Sequence, residues 1–174
     1  MTAIPSLATA RLKLRAMSVD DWPAYAQFLA SGRSRYMGGP FATAVAWGMF
    51  CADYAQWGLF GCGALMVELR DSGVCVGQVG VNYGPLYPER ELGWMLYPEA
   101  EGRGYAYEAA AALRGWARDV RRLDTLVSYV DPENLRSRKL AERLGATLDP
   151  TAARQDPTDL VFRHFGAAID RGKP

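Results

Sequence analysis

Between Leu92 and Ala110 the chain passes from an apolar strand pattern, through Glu101-Gly-Arg-Gly104, straight into an alanine-rich helix. It makes that passage only once. A doubly wound dinucleotide fold repeats such a strand–turn–helix unit several times, so this chain predicts a different α/β arrangement. The first N–H groups of a helix have no intrahelical partner and lie at the positive end of its dipole, which suits a phosphate. Glycines at 102 and 104 remove the Cβ atoms that would hold a diphosphate away from that backbone.

Periodicity supplies the frame around this turn. Residues 11–17 alternate at period two and predict a strand with one buried face. Ser18 or Asp20 caps the helix that follows through Trp22, Tyr25, Phe28 and Leu29. Residues 32–40 are turn-rich, and a second helix is expected over 43–57. Strands at 64–70 and 74–83 flank Asp71-Ser72-Gly73, a hairpin connection, and the next strand covers 91–97. In the alanine-rich helix, Ala106, Ala109, Ala110, Leu113, Ala117 and Val120 fall on one face. A strand at 126–130 comes next, then a helix with Asp131 as N-cap, Pro132 at its first position and Gly145 at its end. Residues 159–165 close the pattern as a strand. The order β-α-α-β-β-β-α-β-α-β predicts one α/β (α+β) domain over 1–174, with a core at about 9–166.

Composition excludes several function classes. A net charge of +1 with no basic tract argues against nucleic-acid binding and against electrostatic membrane attachment. No apolar run reaches the length of a membrane span, and the N-terminus lacks a basic-then-apolar leader pattern. Cys51, Cys62 and Cys75 are odd in number and far apart, which fits reduced thiols in the cytoplasm. His164 is the single histidine, so a zinc site or a Ser-His-Asp triad is not expected, and no metal is called for.

Four stretches together resemble the GNAT superfamily of acyl-CoA-dependent N-acetyltransferases, most nearly the branch of the ribosomal-protein N-terminal acetyltransferases RimJ and RimL. They are Thr9-Ala-Arg-Leu-Lys-Leu-Arg15 with Asp20-Asp21-Trp22, the hairpin with Val76-Gly-Gln-Val-Gly80, the loop Glu101-Gly-Arg-Gly-Tyr-Ala-Tyr-Glu-Ala109, and Asn134-x-x-Ser137 leading to Leu140-Ala-Glu-Arg-Leu-Gly145. The resemblance implies a mixed, mostly antiparallel sheet whose strands at 91–97 and 125–131 splay to form a cofactor cleft. It implies acetyl-CoA as cosubstrate, with the backbone of Trp94, Met95 and Leu96 along the pantetheine. The amides of Arg103, Gly104, Tyr105, Ala106 and Tyr107 would hold the pyrophosphate. Asn134 and Ser137 would lie beside the pantetheine or the thioester sulfur, with Lys139 and Arg143 either near the nucleotide phosphates or on a solvated helix face.

Transfer to an amine needs a proton acceptor, because an α-amine (about 8) and a lysine (about 10.4) are mostly protonated at neutral pH. Glu91 is the candidate base; its alternative is an edge-strand glutamate in water or in a salt bridge with Arg90. Glu108, in the first helical turn, is a weaker candidate that complements the dipole or ties down the loop. Many relatives carry a tyrosine acid seven residues after the motif asparagine, where this chain has Ala141. Ser137 is the substitute, with Tyr83 and Tyr129 behind it, and a backbone N–H near Met95 would face the developing oxyanion. Glu101 stands where the motif usually has Gln or Arg, and is expected to point outward or pair with Arg103. The acceptor, a protein N-terminus or a small-molecule amine, is expected beside Tyr36, Met37, Phe41 and Tyr83, in a protein that forms a homodimer. A catalytically silent acyl-CoA-binding domain is the competing function, kept open by Ala141.

Overall fold

Alternation in Leu12-Lys-Leu-Arg15 places Leu12 and Leu14 on one side of a strand, and both are fully buried. The computed structural model describes residues 4–166. A two-residue strand, β1 (Leu7–Ala8), precedes this one, β2 (Leu12–Arg15). Helices α1 (Trp22–Leu29) and α2 (Thr43–Phe60) follow, then strands β3 (Ala64–Leu69), β4 (Cys75–Asn82) and β5 (Glu91–Leu96). Helix α3 (Tyr105–Asp119) crosses to β6 (Leu126–Val130); α4 (Leu135–Arg143), β7 (Thr147–Leu148) and β8 (Leu160–Phe165) complete the chain. One sheet holds all the strands, in the order β1-β2-β3-β4-β5-β6-β8-β7. Every neighbouring pair is antiparallel except β5 and β6.

The two faces of the sheet carry different cores. Ala109, Ala110, Leu113 and Ala117 of α3 pack on Leu12, Leu14, Leu65, Val79, Val81 and Leu92. Small side chains on the helix bring it close to the sheet, and a Leu113→Ala cavity there would cost about 2–5 kcal/mol. On the other face, Tyr25, Phe28, Leu29 and Phe50 of α1 and α2 cover Ala64, Met66, Met95 and Tyr97.

Several local expectations change. Ser18, not Asp20, is the cap: its side chain accepts from the Asp20 N–H, while the Asp21 carboxylate accepts from the Ser18 N–H, closing a 3-10 turn before α1. Helix α2 runs three residues past Trp57 and stops where Gly61 turns left-handed (φ 65°). Strand β3 ends at Leu69 and β4 starts at Cys75, so the hairpin connection is longer than three residues. Val120 is 68% exposed instead of buried, because α3 ends at Asp119 and Val120 is its C-cap.

Candidate active site

Strand β5 uses one edge fully and the other hardly at all. Six residues from Glu91 to Leu96 pair with β4, but only Glu91 pairs with β6, opposite Val127. Beyond that rung the two strands form no further pair, and the edge of β5 that carries the Trp94 and Leu96 backbone is left without a strand partner. Helix α3 starts after Gly102 and Gly104, both left-handed (φ 75° and 81°), conformations that side chains rarely adopt. Gly104 is the N-cap and has no side chain to cap with, so no side-chain cap answers the first amides of α3. This backbone fits a diphosphate.

Side chains hold the loop from behind. Glu108 accepts from Thr9 Oγ1 (2.6 Å), the Arg11 N–H (2.8 Å) and Arg11 Nε (2.7 Å), and Arg11 donates to the Arg103 carbonyl (2.9 Å). Glu108 therefore ties the loop to the start of β2. Glu101 pairs with Arg33 and Arg136 rather than with Arg103. Arg103 lines a groove with Leu69, Val74 and Tyr97. Arg143 of α4 stacks over the Tyr107 ring at 4.8 Å, which brings its charge to the first turn of α3.

Across the cleft, α4 begins three residues later than the Asp131-Pro132 signal predicts. Asp131 Oδ1 accepts from the Glu133 N–H (2.7 Å) and makes a turn, and Asn134 Oδ1 then caps the helix through the Ser137 N–H (3.1 Å). Asn134 and Asp131 are both good caps, and the later one wins. The Ser137 hydroxyl accepts a hydrogen bond from Trp94 Nε1 at 3.2 Å, joining α4 to β5 and leaving its own hydrogen uncommitted by that bond. Ala141 is fully buried among Val130, Ala146 and Phe162 and serves as core. Met95 points its side chain into the α1/α2 core and its backbone at Gln78 of β4, whereas Trp94 and Leu96 turn their backbone to the edge away from β4.

Glu91 is not an edge residue, and Arg90 is not its partner: Arg90 stacks over the Tyr83 ring at 4.4 Å. The Glu91 carboxylate accepts from Asn82 Nδ2 (2.9 Å), with a further contribution from the Tyr129 backbone N–H. Gly80 and Gly93 stand opposite each other on β4 and β5 and make the room. A Cβ on Gly93 would meet Asn82 Nδ2 at 3.3 Å and the Glu91 carboxylate at 3.7 Å. Burial pushes the Glu91 carboxyl up to about 7, and the neutral Asn82 amide offsets that only in part. On the same side, Asp53 of α2 accepts from the Tyr25 hydroxyl (3.0 Å), and burial pushes it up to about 6.

Residues 11–147 match the family model described as an acetyltransferase (GNAT) domain. The chain belongs to the GNAT acetyltransferases. It is similar to an acetyltransferase from Agrobacterium tumefaciens str. C58, at 55% identity over 95% of this chain and 96% of that one, with a TM-score of 0.92. The ribosomal L7/L12 alpha-N-protein acetyltransferase RimL, in complex with coenzyme A, shares the fold at 16% identity, with a TM-score of 0.70 over 89% of this chain and 93% of that one. A ribosomal-protein-S5-alanine acetyltransferase from Vibrio fischeri does so at 16% identity and a TM-score of 0.65, covering 98% of this chain and 100% of that one. Acetyl-CoA-dependent acetyl transfer is the chemistry of this family.

In this GNAT domain the four expected acceptor-side residues do not form one cluster. Tyr36, in a 3-10 turn over Gly32–Met37, accepts from Arg35 (2.7 Å) and lies 3.4 Å from the Glu133 carbonyl, beside the entry to α4. Met37 is exposed, and Phe41 packs against the α1/α2 core. Tyr83 lies at the other end of β5, next to Asn82, and helps to line a cavity of about 530 Å³ with Phe60, Pro85, Tyr87 and Pro88. Asn82, Asp53 and Tyr87 went unnoticed in the sequence. Asp53 had a signal: it is the one charged residue in α2. Asn82 had a fainter one, sharing the period-two face of Gln78 and Gly80 instead of the apolar face of Val79 and Val81.

Proposed function

We propose that this chain transfers an acetyl group from acetyl-CoA to a primary amine by direct attack in a ternary complex, with Glu91 as the base. The observation that supports this most is the setting of Glu91. A carboxylate at the single rung where β5 and β6 meet is hydrogen-bonded by a neutral amide and pushed up to about 7. A base titrating near neutral pH is matched to an ammonium acceptor: it is ionised enough to take the proton and basic enough to keep it. Ser137 is the proposed donor to the departing thiolate, and the backbone of Trp94 and Leu96 the edge along the pantetheine. The Met95 N–H, expected at the oxyanion, is paired to Gln78 of β4 instead, and the amides from Arg103 to Tyr107 would take the pyrophosphate. Acetyl-CoA, when bound, supplies the activated acyl group.

The acceptor we assign is a protein N-terminus, as in the RimJ/RimL branch, or a small-molecule amine. A cytoplasmic homodimer completes the assignment, with three unpaired cysteines consistent with the compartment; sedimentation and cell fractionation check the two halves. What speaks against a silent acyl-CoA-binding domain is that both proposed reacting side chains are held by specific partners, Asn82 for Glu91 and Trp94 for Ser137. An amine panel with detection of released CoA thiol is the test. Amine-dependent release, lowered at least about 100-fold in Glu91→Gln, is expected. Tight acetyl-CoA binding with no turnover on any amine would instead establish the silent domain.

A further inference from the structure

The splay of β5 from β6 has a specific lock. In a parallel ladder the bonds are evenly spaced, so the rung after the Val127 N–H to Arg90 carbonyl bond (3.0 Å) and the Glu91–Val127 pair would run from the Tyr129 N–H to the Leu92 carbonyl. No β5–β6 pair follows Glu91–Val127. The Leu92 carbonyl instead accepts from the Ser128 hydroxyl at 2.5 Å. Ser128 is 2% exposed, and its oxygen lies 2.9 Å from Nε2 of the buried His164. A serine hydroxyl has one hydrogen, and here it goes to Leu92; Nε2 must therefore carry the proton and donate to Ser128. His164 Nδ1 is then a bare lone pair, in keeping with its lack of any partner. Burial beside Arg114 pushes His164 down to about 4, so the ring stays neutral where the enzyme works.

We propose that Ser128, locked by His164, is a positioning residue for Glu91: it occupies the Leu92 carbonyl, ends the β5–β6 ladder there, and leaves the Tyr129 N–H for the Glu91 carboxylate. Without the Ser128 hydroxyl, the Leu92 carbonyl loses that partner, and the donor that a parallel ladder aims at it is the Tyr129 N–H. Closing that rung removes a donor from Glu91. The other groups acting on Glu91 are unchanged by this step: Asn82 from β4, Asp53 from α2, Asp159 before β8, and the phenols of Tyr87 and Tyr129. Losing a hydrogen bond to its charged form raises a carboxyl's titration. The effect on Glu91 stands by itself, while its consequence for turnover rests on Glu91 being the base.

The test is a carbon-13 NMR titration of the Glu91 carboxyl in the full chain, with the pH dependence of kcat/KM measured in parallel. Ser128→Ala is expected to move the Glu91 titration upward by on the order of half a pH unit or more, His164→Leu to move it less in the same direction, and Ser128→Thr to restore it. An unmoved titration in folded Ser128→Ala overturns the proposal. Should that variant not fold, an unmoved titration in His164→Leu overturns it equally. If the carboxyl shifts while the acid limb of kcat/KM does not, the positioning stands and the assignment of Glu91 as base falls.

Discussion

Glu89 and Glu91 stand two residues apart at the entry to β5 and meet opposite fates. Glu89 is 4% exposed and accepts from both terminal nitrogens of Arg163 (2.8 and 2.9 Å) and from Thr125 (2.6 Å). The guanidinium holds its carboxyl below the usual range. Glu91 receives a neutral amide instead, and burial pushes it up. At Glu89 a cationic partner outweighs burial, whereas at Glu91 burial outweighs a neutral amide. The Glu89 side is a structural anchor: Arg163 also binds Asp149 at 2.7 Å, so one cation ties the approach to β5 to β8 and to the turn before it. The Glu91 side is poised to exchange a proton.

Removing the anchor should have the largest effect. Glu89→Ala leaves a buried guanidinium with only Asp149 and the Thr125 hydroxyl, and a loss of about 3–5 kcal/mol in urea unfolding is expected; a loss below about 1 kcal/mol would erase the contrast. Glu91→Gln should do the reverse. The folded carboxyl titrates above its ordinary value of 4.5, so stability declines as pH rises from there through about 7. Glutamine escapes that decline and should gain on the order of 2 kcal/mol above neutral pH and almost nothing below about pH 4.5. Thermal melts at the two pH extremes check the sign. Asn82→Ala removes the amide donor from Glu91 and should raise the acid limb of kcat/KM by about one pH unit. Gly104→Ala, at a left-handed φ of 81°, should cost about 1 kcal/mol in stability and weaken acetyl-CoA binding several-fold, with Glu91 titration unchanged.

The same contrast separates what the sequence discloses from what it does not. The glycine-paired turn into α3, the alanine face of that helix up to Ala117 and the alternation of β2 are local signals, each readable within a few residues, and the structure forms the turn, the helix and the strand there. Glu91 is different, because its donors come from β4 and β6 and its room from Gly80 and Gly93 on paired strands. No window along the chain contains them together. The start of α4 failed for a narrower reason, since Asp131 and Asn134 are both competent caps and local rules do not rank them. Glu101 has no arginine partner within its own loop; its partners lie at 33 and 136, far along the chain. Ser128 and His164 gave no signal beyond the presence of a lone histidine.

The central claim is that Glu91 takes the proton from the acceptor amine. The pH dependence of kcat/KM for acetyl transfer, wild type against Glu91→Gln, tests it most directly once the amine panel supplies an acceptor. The account predicts a wild-type rate that falls as pH drops through about 7. In Glu91→Gln that limb is absent, and the rate is about 10²–10⁴-fold lower. Superimposable profiles for the two proteins would contradict it.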